Sequence, residues 1–220
     1  MAEEISVILI PCLRKAEEEG KAYHQRERKM IDASFQSYLD RRQIKIEERS
    51  IAKGEHGKPY LKDHPELHYN LSHCEGLAAI AFSGFPIGID VEGDRKVGER
   101  LYQKVSDDTE LREIQSARDS RRRMIQYWTL KESYVKAIGM GLSFPLDQIH
   151  IRSRGEESWD AHGELVLPKD ELLYLQLDFK QDRNEICCAD QTAFFYHQMV
   201  LLDGKHFYLS LCGILTEKLS

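Results

Sequence analysis

The pattern of apolar and polar residues in the first half of the chain predicts one long helix followed by strands. Residues 16–42 interleave charged positions with apolar ones and contain no proline, which favours a helix. Residues 77–82 are all apolar, and residues 87–92 alternate between the two faces of a strand. Because Ser83-Gly84-Phe85-Pro86 separates these two runs, we expect them to pair as an antiparallel hairpin.

The second half begins with helices and continues with strands. Residues 107–123 are highly charged and predict a helix, and the clearest helical periodicity covers residues 124–138 and stops at Gly139-Met140-Gly141. Strands are expected at residues 148–153, 164–167, 173–179, 193–201 and 206–211. The last two flank Asp203-Gly204, a strong hairpin signal. These elements together predict the α+β class with antiparallel sheets.

Two carboxylates share one face of the strand at residues 87–92. Asp90 and Glu92 are two positions apart, so their side chains point the same way and lie roughly 7 Å apart. Such a pair can coordinate a hard cation through oxygen. The alternative is an ordinary half-exposed strand whose polar residues face water, and the strand alone leaves both interpretations open.

A third carboxylate lies within the apolar stripe of the helix at residues 124–138. Ile125, Trp128 and Val135 recur at helical spacing, and Glu132 stands among them. Burial of an unpaired carboxylate costs several kcal/mol, so we expect Lys136, one turn later, or a bound cation to compensate it. The alternative is a surface pair of Glu132 and Lys136, worth only ~0.3–0.5 kcal/mol. That alternative does not explain why the glutamate occupies the apolar side.

The predicted hairpin also places Ser72 and His73. Its register sets Glu92 opposite about Ala78, so residues 72 and 73 emerge at the same end of the ribbon as the carboxylates. At ~3.3 Å per residue they would lie some 15–20 Å from Glu92, about the length of an extended nucleotide-type ligand.

A zinc site is a rival interpretation of the same region. His64, His68, His73 and Cys74 are close in sequence. However, Pro65 prevents the first two histidines from lying one helical turn apart, and the spacing matches no usual zinc finger. We therefore do not expect zinc.

Composition narrows the class of protein. The chain has 220 residues, 41% hydrophobic and 31% charged, enough for one domain or two small ones. No apolar run reaches the ~18–20 residues of a membrane span, and the acidic start at residues 1–4 is unlike a signal peptide, so we expect a cytoplasmic protein without a membrane partner. The net charge of −6 argues against nucleic-acid partners. Five cysteines without a Cys-x-x-Cys motif indicate reduced thiols.

Five short motifs occur in a recognisable order. They are Gly57-Lys58-Pro59, Asn70-Leu71-Ser72-His73, Ile87-Gly88-Ile89-Asp90-Val91-Glu92, Trp128-Thr129-Leu130-Lys131-Glu132-Ser133-Tyr134-Val135-Lys136 and Gly141-Leu142-Ser143-Phe144-Pro145-Leu146. Together they resemble the 4′-phosphopantetheinyl transferases of the surfactin-synthetase-activating type. The resemblance implies a pseudo-twofold pair of α+β halves, each with an antiparallel sheet packed by helices, and an active site in the cleft between them. It places the halves at residues 1–86 and 87–220.

The resemblance also implies an activity. The family transfers the 4′-phosphopantetheine group of coenzyme A to a serine of a carrier protein, requires Mg²⁺, and releases adenosine 3′,5′-bisphosphate. By motif, Asp90, Glu92 and Glu132 would be the Mg²⁺ ligands. Glu132 would also be the general base, and Lys136, with Lys131, would offset the charge that builds on the leaving group.

The remaining residues implied by the resemblance bind coenzyme A. Lys58, Ser72 and His73 would hold its nucleotide end. A basic residue near the start of the first helix would contact the 3′-phosphate, for which Arg28 is our choice, with Arg26 and Lys29 as alternatives.

The expected partners are coenzyme A and an acyl or peptidyl carrier protein with an acidic surface, which the basic residues in 118–123 would help to dock. We expect a monomer, because two halves already build one cleft. Two other functions stay open, a metal-dependent phosphodiesterase that uses water as nucleophile and a non-catalytic module that binds coenzyme A or a carrier. The segment 164–193 is longer than the family pattern, and we expect it to extend the second half by a strand pair.

Overall fold

A computed structural model describes residues 4–47, 50–141, 144–190 and 192–215 of the chain. The first half contains β1 (Glu4–Cys12), α1 (Gly20–Arg41), β2 (Ile51–Lys53), β3 (Pro59–Leu61), β4 (His68–Cys74) and β5 (Gly76–Ser83). The next part contains β6 (Ile87–Gly93), α2 (Glu99–Val105), α3 (Asp108–Ser116) and α4 (Ser120–Ile138). The last part contains β7 (Arg152–Ser153), β8 (Glu164–Val166), β9 (Leu173–Asp178), α5 (Phe179–Asp182), β10 (Ile186–Cys187), β11 (Ala193–Leu202) and β12 (Lys205–Ile214).

Two four-stranded sheets face each other across a shared apolar core. Their strand orders are β4-β5-β1-β9 and β6-β12-β11-β8, antiparallel throughout except for the parallel pair β11 and β8. The core contains Leu9 of β1, Ala79 of β5, Ile89 of β6 and Leu211 of β12. The helix α1 covers the outer face of the first sheet, and α4 covers the outer face of the second. This arrangement confirms the α+β class with antiparallel sheets.

Capping residues set the bounds of α3 and α4. Asp107 accepts hydrogen bonds from the amides of Thr109 and Glu110 and starts α3. Asp119 accepts one from the amide of Arg122 and starts α4. The two helices are therefore separated at residues 117–119, and the predicted boundary at 123 was wrong. The predicted end of α4 is confirmed, since Gly139 takes a left-handed conformation there with φ of 73°.

The predicted hairpin of residues 77–82 with residues 87–92 was also wrong. β5 pairs with β4 and β1, and β6 pairs with β12, where Glu92 lies opposite Tyr208. At residues 84–86 the chain crosses from one sheet to the other, because the apolar faces of β5 and β6 pack against each other in the shared core. The predicted pairing of Glu92 with Ala78 therefore does not occur.

The segment 164–193 does not simply extend the second half. β8 joins the second sheet beside β11, but β9 pairs with β1 at the edge of the first sheet, with Leu177 opposite Ile5. The reason is that Leu177 packs into the shared core from that edge. We keep residues 1–86 and 87–220 as the proposed division, with β9 crossing it.

None of the helices in the described ranges combines the length and hydropathy of a transmembrane span.

Candidate active site

The site is built where β6 packs closely on α4. A Cβ atom at Gly88 would lie 2.0 Å from the carbonyl oxygen of Ser133 and 2.4 Å from the amide nitrogen of Ala137. Glycine therefore lets the strand approach the helix backbone. Asp90, on the same face of the strand as Gly88, is thereby brought towards Glu132 in the middle of the helix.

Side chains of β4 cover the edge of β6 that has no neighbouring strand in its own sheet. Asn70 Oδ1 accepts a hydrogen bond from the amide of Ile89 at 2.9 Å, and Ser72 Oγ accepts one from the amide of Val91 at 3.2 Å. The edge strands of the two sheets thus meet through side chains and not through a backbone ladder. Ser72 consequently lies beside the carboxylates. The expected position, about 15–20 Å away at the other end of an extended ligand, is wrong.

One cavity of about 360 Å³ collects six of the nine sequence-predicted residues. β4 contributes Ser72 and His73, β6 contributes Asp90 and Glu92, and α4 contributes Glu132 and Lys136. The remaining walls are formed by Leu71, Val91 and Trp128.

Asp90 is held by one of its two carboxylate oxygens. Oδ1 accepts hydrogen bonds from Lys136 Nζ at 2.7 Å and from Ser72 Oγ at 2.9 Å. Oδ2 is buried and has no hydrogen-bond partner within the described ranges. An unsatisfied buried carboxylate oxygen is costly, so this atom is the place in the cavity where a positive ligand would be most favourable.

Glu132 is buried beside it, at 6% exposure. Burial raises the pKa of its carboxyl group, and the negative charge of Asp90 raises it further, while Lys136 acts in the opposite direction. The predicted position of Glu132 within the buried stripe of α4 is thus correct.

Glu92 is paired with a residue that the sequence did not indicate. Arg95 Nε lies 3.0 Å from Glu92 Oε2, and Arg95 Nη2 lies 3.3 Å from Glu92 Oε1. Arg95 follows the end of β6, and the motif itself gave no signal for it.

The three carboxylates supply the oxygen ligands that Mg²⁺ prefers. In the present side-chain arrangement, however, no group of three or more His, Cys, Asp or Glu residues in the described ranges is close enough to hold a metal ion. Two of the carboxylates carry cations of the chain itself, Lys136 and Arg95. The unsatisfied Asp90 Oδ2 and the buried Glu132 have the chemistry of a divalent-cation site, and Glu92 would have to leave Arg95 to join them.

His73 is backed by a buried carboxylate that sequence analysis missed. Its Nδ1 lies 3.3 Å from Glu27 Oε2, and Glu27 Oε1 accepts a hydrogen bond from Tyr23 at 3.0 Å. Glu27 belongs to α1 and is buried between Tyr23 and Ile31 at helical spacing. A charged residue on the apolar side of a helix was the same signal that identified Glu132, and it could have identified Glu27.

Three predicted residues lie outside the cavity. Lys58 Nζ donates to the carbonyl oxygens of Ile87 at 3.0 Å and Ala137 at 2.8 Å, so it ties β6 to α4, and burial lowers its pKa to about 8. Arg28 is on an exposed face of α1 and does not line the cavity. The geometry therefore does not support Lys58 and Arg28 as residues that bind coenzyme A.

The geometry does not support the assignment of Lys131 to the leaving group. Its side chain is fully buried, forms an ion pair with Glu110, and donates to the carbonyl oxygens of Val105 and Leu146. Lys131 therefore points between α4 and the helices α2 and α3, away from the carboxylates.

Comparisons with known proteins agree with the motifs. Residues 86–189 match the family model described as the 4′-phosphopantetheinyl transferase superfamily. The chain is similar to the 4′-phosphopantetheinyl transferase Sfp of Bacillus subtilis (strain 168), with 32% identity over 57% of this chain and 54% of that protein. It is also similar to the 4′-phosphopantetheinyl transferase pptA of Paxillus involutus, with 30% identity over 66% of each chain.

A third relative is the L-aminoadipate-semialdehyde dehydrogenase-phosphopantetheinyl transferase of Candida glabrata, 24% identical over 60% of this chain and 55% of that protein. The chain spans about half the length of the Bacillus relatives that it matches. The matched segment includes β6 and α4, and with them all three carboxylates. Residues 86–189 belong to the 4′-phosphopantetheinyl transferase superfamily.

Proposed function

We propose that this protein transfers the 4′-phosphopantetheine group of coenzyme A to a serine of an apo carrier protein and releases adenosine 3′,5′-bisphosphate. The observation that carries the proposal is the cavity itself, which Asp90, Glu92 and Glu132 line together with Lys136 and Ser72. The relatives named above, which are phosphopantetheinyl transferases, support the same activity.

Lys136 would supply a fixed positive charge beside the pyrophosphate of coenzyme A. Its ammonium group already lies among three oxygens, those of Ser72, Ile89 and Asp90, at 2.7–3.1 Å. The group is therefore held in a fixed position, where it would neutralise the charge that shifts to the leaving bisphosphate. His73, half exposed at the cavity and backed by Glu27, would bind the nucleotide end.

Asp90, Glu92 and Glu132 would hold Mg²⁺. When bound, this ion supplies Lewis-acid polarisation of the pyrophosphate oxygens. Glu132 would accept the proton of the attacking serine. The serine oxygen forms a bond to the phosphorus that carries the pantetheine arm, and the bond from that phosphorus to the adenosine bisphosphate breaks.

The acceptor would be an acyl or peptidyl carrier protein with an acidic surface. Within the basic segment 118–123, Arg121 is paired with Asp94 at 3.0 Å and Arg122 with Asp160, so carrier carboxylates would compete with these contacts. Such rim charges affect the rate of encounter more than the choice of partner. We further propose that the protein acts as a monomer in the cytoplasm.

The test incubates the full chain with coenzyme A, Mg²⁺ and separate apo acyl and apo peptidyl carriers, and follows the carriers by intact-protein mass spectrometry. We expect the mass gain of one phosphopantetheine group. Asp90→Asn should reduce the rate far more than tenfold, because the metal supplies several kcal/mol of transition-state stabilisation. Asp170→Asn, the same change at an exposed position outside this cavity, is the matched control and should stay close to the unmodified protein.

Three results would contradict the proposal. If carriers of neither class gain mass, the protein does not catalyse the transfer reaction. Release of phosphopantetheine or nucleotide without a carrier would indicate a phosphodiesterase. Tight binding of coenzyme A without turnover would indicate a binding module.

A further inference from the structure

Arg95 occupies both oxygens of one of the three carboxylates. Its guanidinium forms the two contacts to Glu92 at 3.0 and 3.3 Å described above, which is a forked pair. The side chain of Arg95 is 49% exposed and that of Glu92 is 20% exposed, so the pair lies at the rim of the cavity.

The two cations that neutralise the carboxylates are held very differently. Lys136 Nζ donates to Asp90, Ser72 and the carbonyl oxygen of Ile89, and the side chain is 26% exposed. Within the described ranges, the hydrogen bonds of the Arg95 guanidinium go to Glu92 alone. If one cation gives way to a divalent ion, it is therefore Arg95.

Arg95 also has space to move. It lines a second cavity of about 560 Å³ that adjoins Glu92 and is bounded by Gly93, Gly204 and Phe207. An arginine that leaves Glu92 for this cavity keeps its charge in contact with water, and about half of its side chain is already exposed. The cost of releasing it is therefore that of a rim ion pair.

We propose that Arg95 is a built-in competitor for the divalent cation. While it is paired with Glu92, the third carboxylate is neutralised and the site is incomplete. Displacement of the guanidinium frees Glu92, so Arg95 sets the cation concentration at which the site fills. This inference rests on the proposed function, because it requires that Asp90, Glu92 and Glu132 bind one divalent ion.

The experiment measures binding of Mn²⁺, as a paramagnetic probe, to the full chain without coenzyme A, by the electron paramagnetic resonance of the free ion. Arg95→Gln should lower the Kd for Mn²⁺ about fivefold, the factor that corresponds to a good rim ion pair. Arg95→Lys keeps the charge and should stay closer to the unmodified protein. Arg118→Gln removes an exposed positive charge from the loop before α4 and should leave the Kd unchanged.

Salt provides a second readout that a structural role would not produce. The difference between Arg95→Gln and the unmodified protein should shrink as ionic strength rises, because an exposed ion pair is screened. Thermal unfolding of each variant confirms that it is folded.

The outcomes distinguish a failure of the role assigned to Arg95 from a failure of the proposed metal site. If all variants bind Mn²⁺ with the same affinity, or if Arg95→Gln binds it more weakly, Arg95 is not a competitor, and the metal site stands. If neither the unmodified protein nor Arg95→Gln binds Mn²⁺, and Asp90→Asn behaves identically, the carboxylates are not a metal site and the proposed function fails with the inference.

Discussion

Replacement of Gly88 by alanine tests whether the close approach of β6 to α4 creates the site. The added Cβ would lie 2.0 Å from the Ser133 carbonyl oxygen, 2.4 Å from the Ala137 amide nitrogen and 2.9 Å from the Lys136 carbonyl carbon. All three are helix backbone atoms, so no side-chain rotation relieves the overlap. Since ordinary contact begins at 3.4 Å, the strand and the helix must separate by about 1.4 Å along the closest contact.

This separation has two measurable costs. Overpacking of a core usually costs ~1–3 kcal/mol of unfolding free energy, and a rigid backbone neighbour places Gly88→Ala at the upper end, about 3 kcal/mol. The same shift moves Glu132 away from Asp90. A displacement of ~1 Å between reacting groups costs on the order of 100-fold in rate.

Urea unfolding and the carrier-transfer assay measure the two effects on the same samples. Gly84→Ala is the matched control, because a Cβ at Gly84 would meet no atom within 4 Å. Unfolding free energy within ~0.5 kcal/mol of the unmodified protein, the range of an ordinary surface substitution, would refute the reasoning. Such a result would mean that β6 does not pack on α4 as described.

Two further predictions concern buried charged and titratable groups. Lys131→Met should cost ~3–5 kcal/mol of unfolding free energy, because it leaves the carboxylate of Glu110 buried without its ammonium partner, and adding Glu110→Gln should restore much of the loss. At temperatures where the Lys131→Met protein stays folded, its KM for coenzyme A should be unchanged, and a large rise in KM would contradict our placement of Lys131. Burial lowers the pKa of His197 to about 3, so between pH 6.5 and pH 3 the unfolded state binds one proton more than the folded state. Stability should therefore fall with pH below 6.5, and the slope should approach about 1.4 kcal/mol per unit more than in His197→Gln between pH 5.5 and 4.5, where the unfolded histidine is almost fully protonated, as measured by urea unfolding at these two pH values. Parallel pH profiles would show that this residue is not the cause.

The sequence predicted the residues of the site better than their surroundings. Alternation along β6 determines that Asp90 and Glu92 share a face, and helical spacing determines that Glu132 faces the core, because both follow from local backbone geometry. The same geometry separates the two lysines of α4. At ~100° per residue, Lys136 lies only about 40° around the helix from Glu132, whereas Lys131 lies about 100° away. That difference was available from the sequence and excludes Lys131 from the cavity.

The pairing of strands could not be obtained in this way. β5 and β6 are adjacent in the chain and separated by a turn signal, yet they belong to different sheets. Their hairpin was a reasonable expectation from local pattern, but the choice of partner depends on which distant strands complete each sheet. β9 illustrates the same limit, since its alternating leucines predicted a strand without indicating that it would lie beside β1.

The edge of β6 explains why a site forms at this position in the fold. An edge strand leaves backbone groups without a ladder partner, and buried groups of this kind must be satisfied. Here the Ile89 amide and the Val91 amide bond to Asn70 and Ser72, and the Ile89 carbonyl oxygen accepts from Lys136. The side chains that satisfy the edge therefore stand beside Asp90, and two of them, Ser72 and Lys136, also bond to it. These two side chains thus satisfy the edge of β6 and also line the polar cavity. This explains why motif residues far apart in the chain lie together here, although no continuous sheet aligns them.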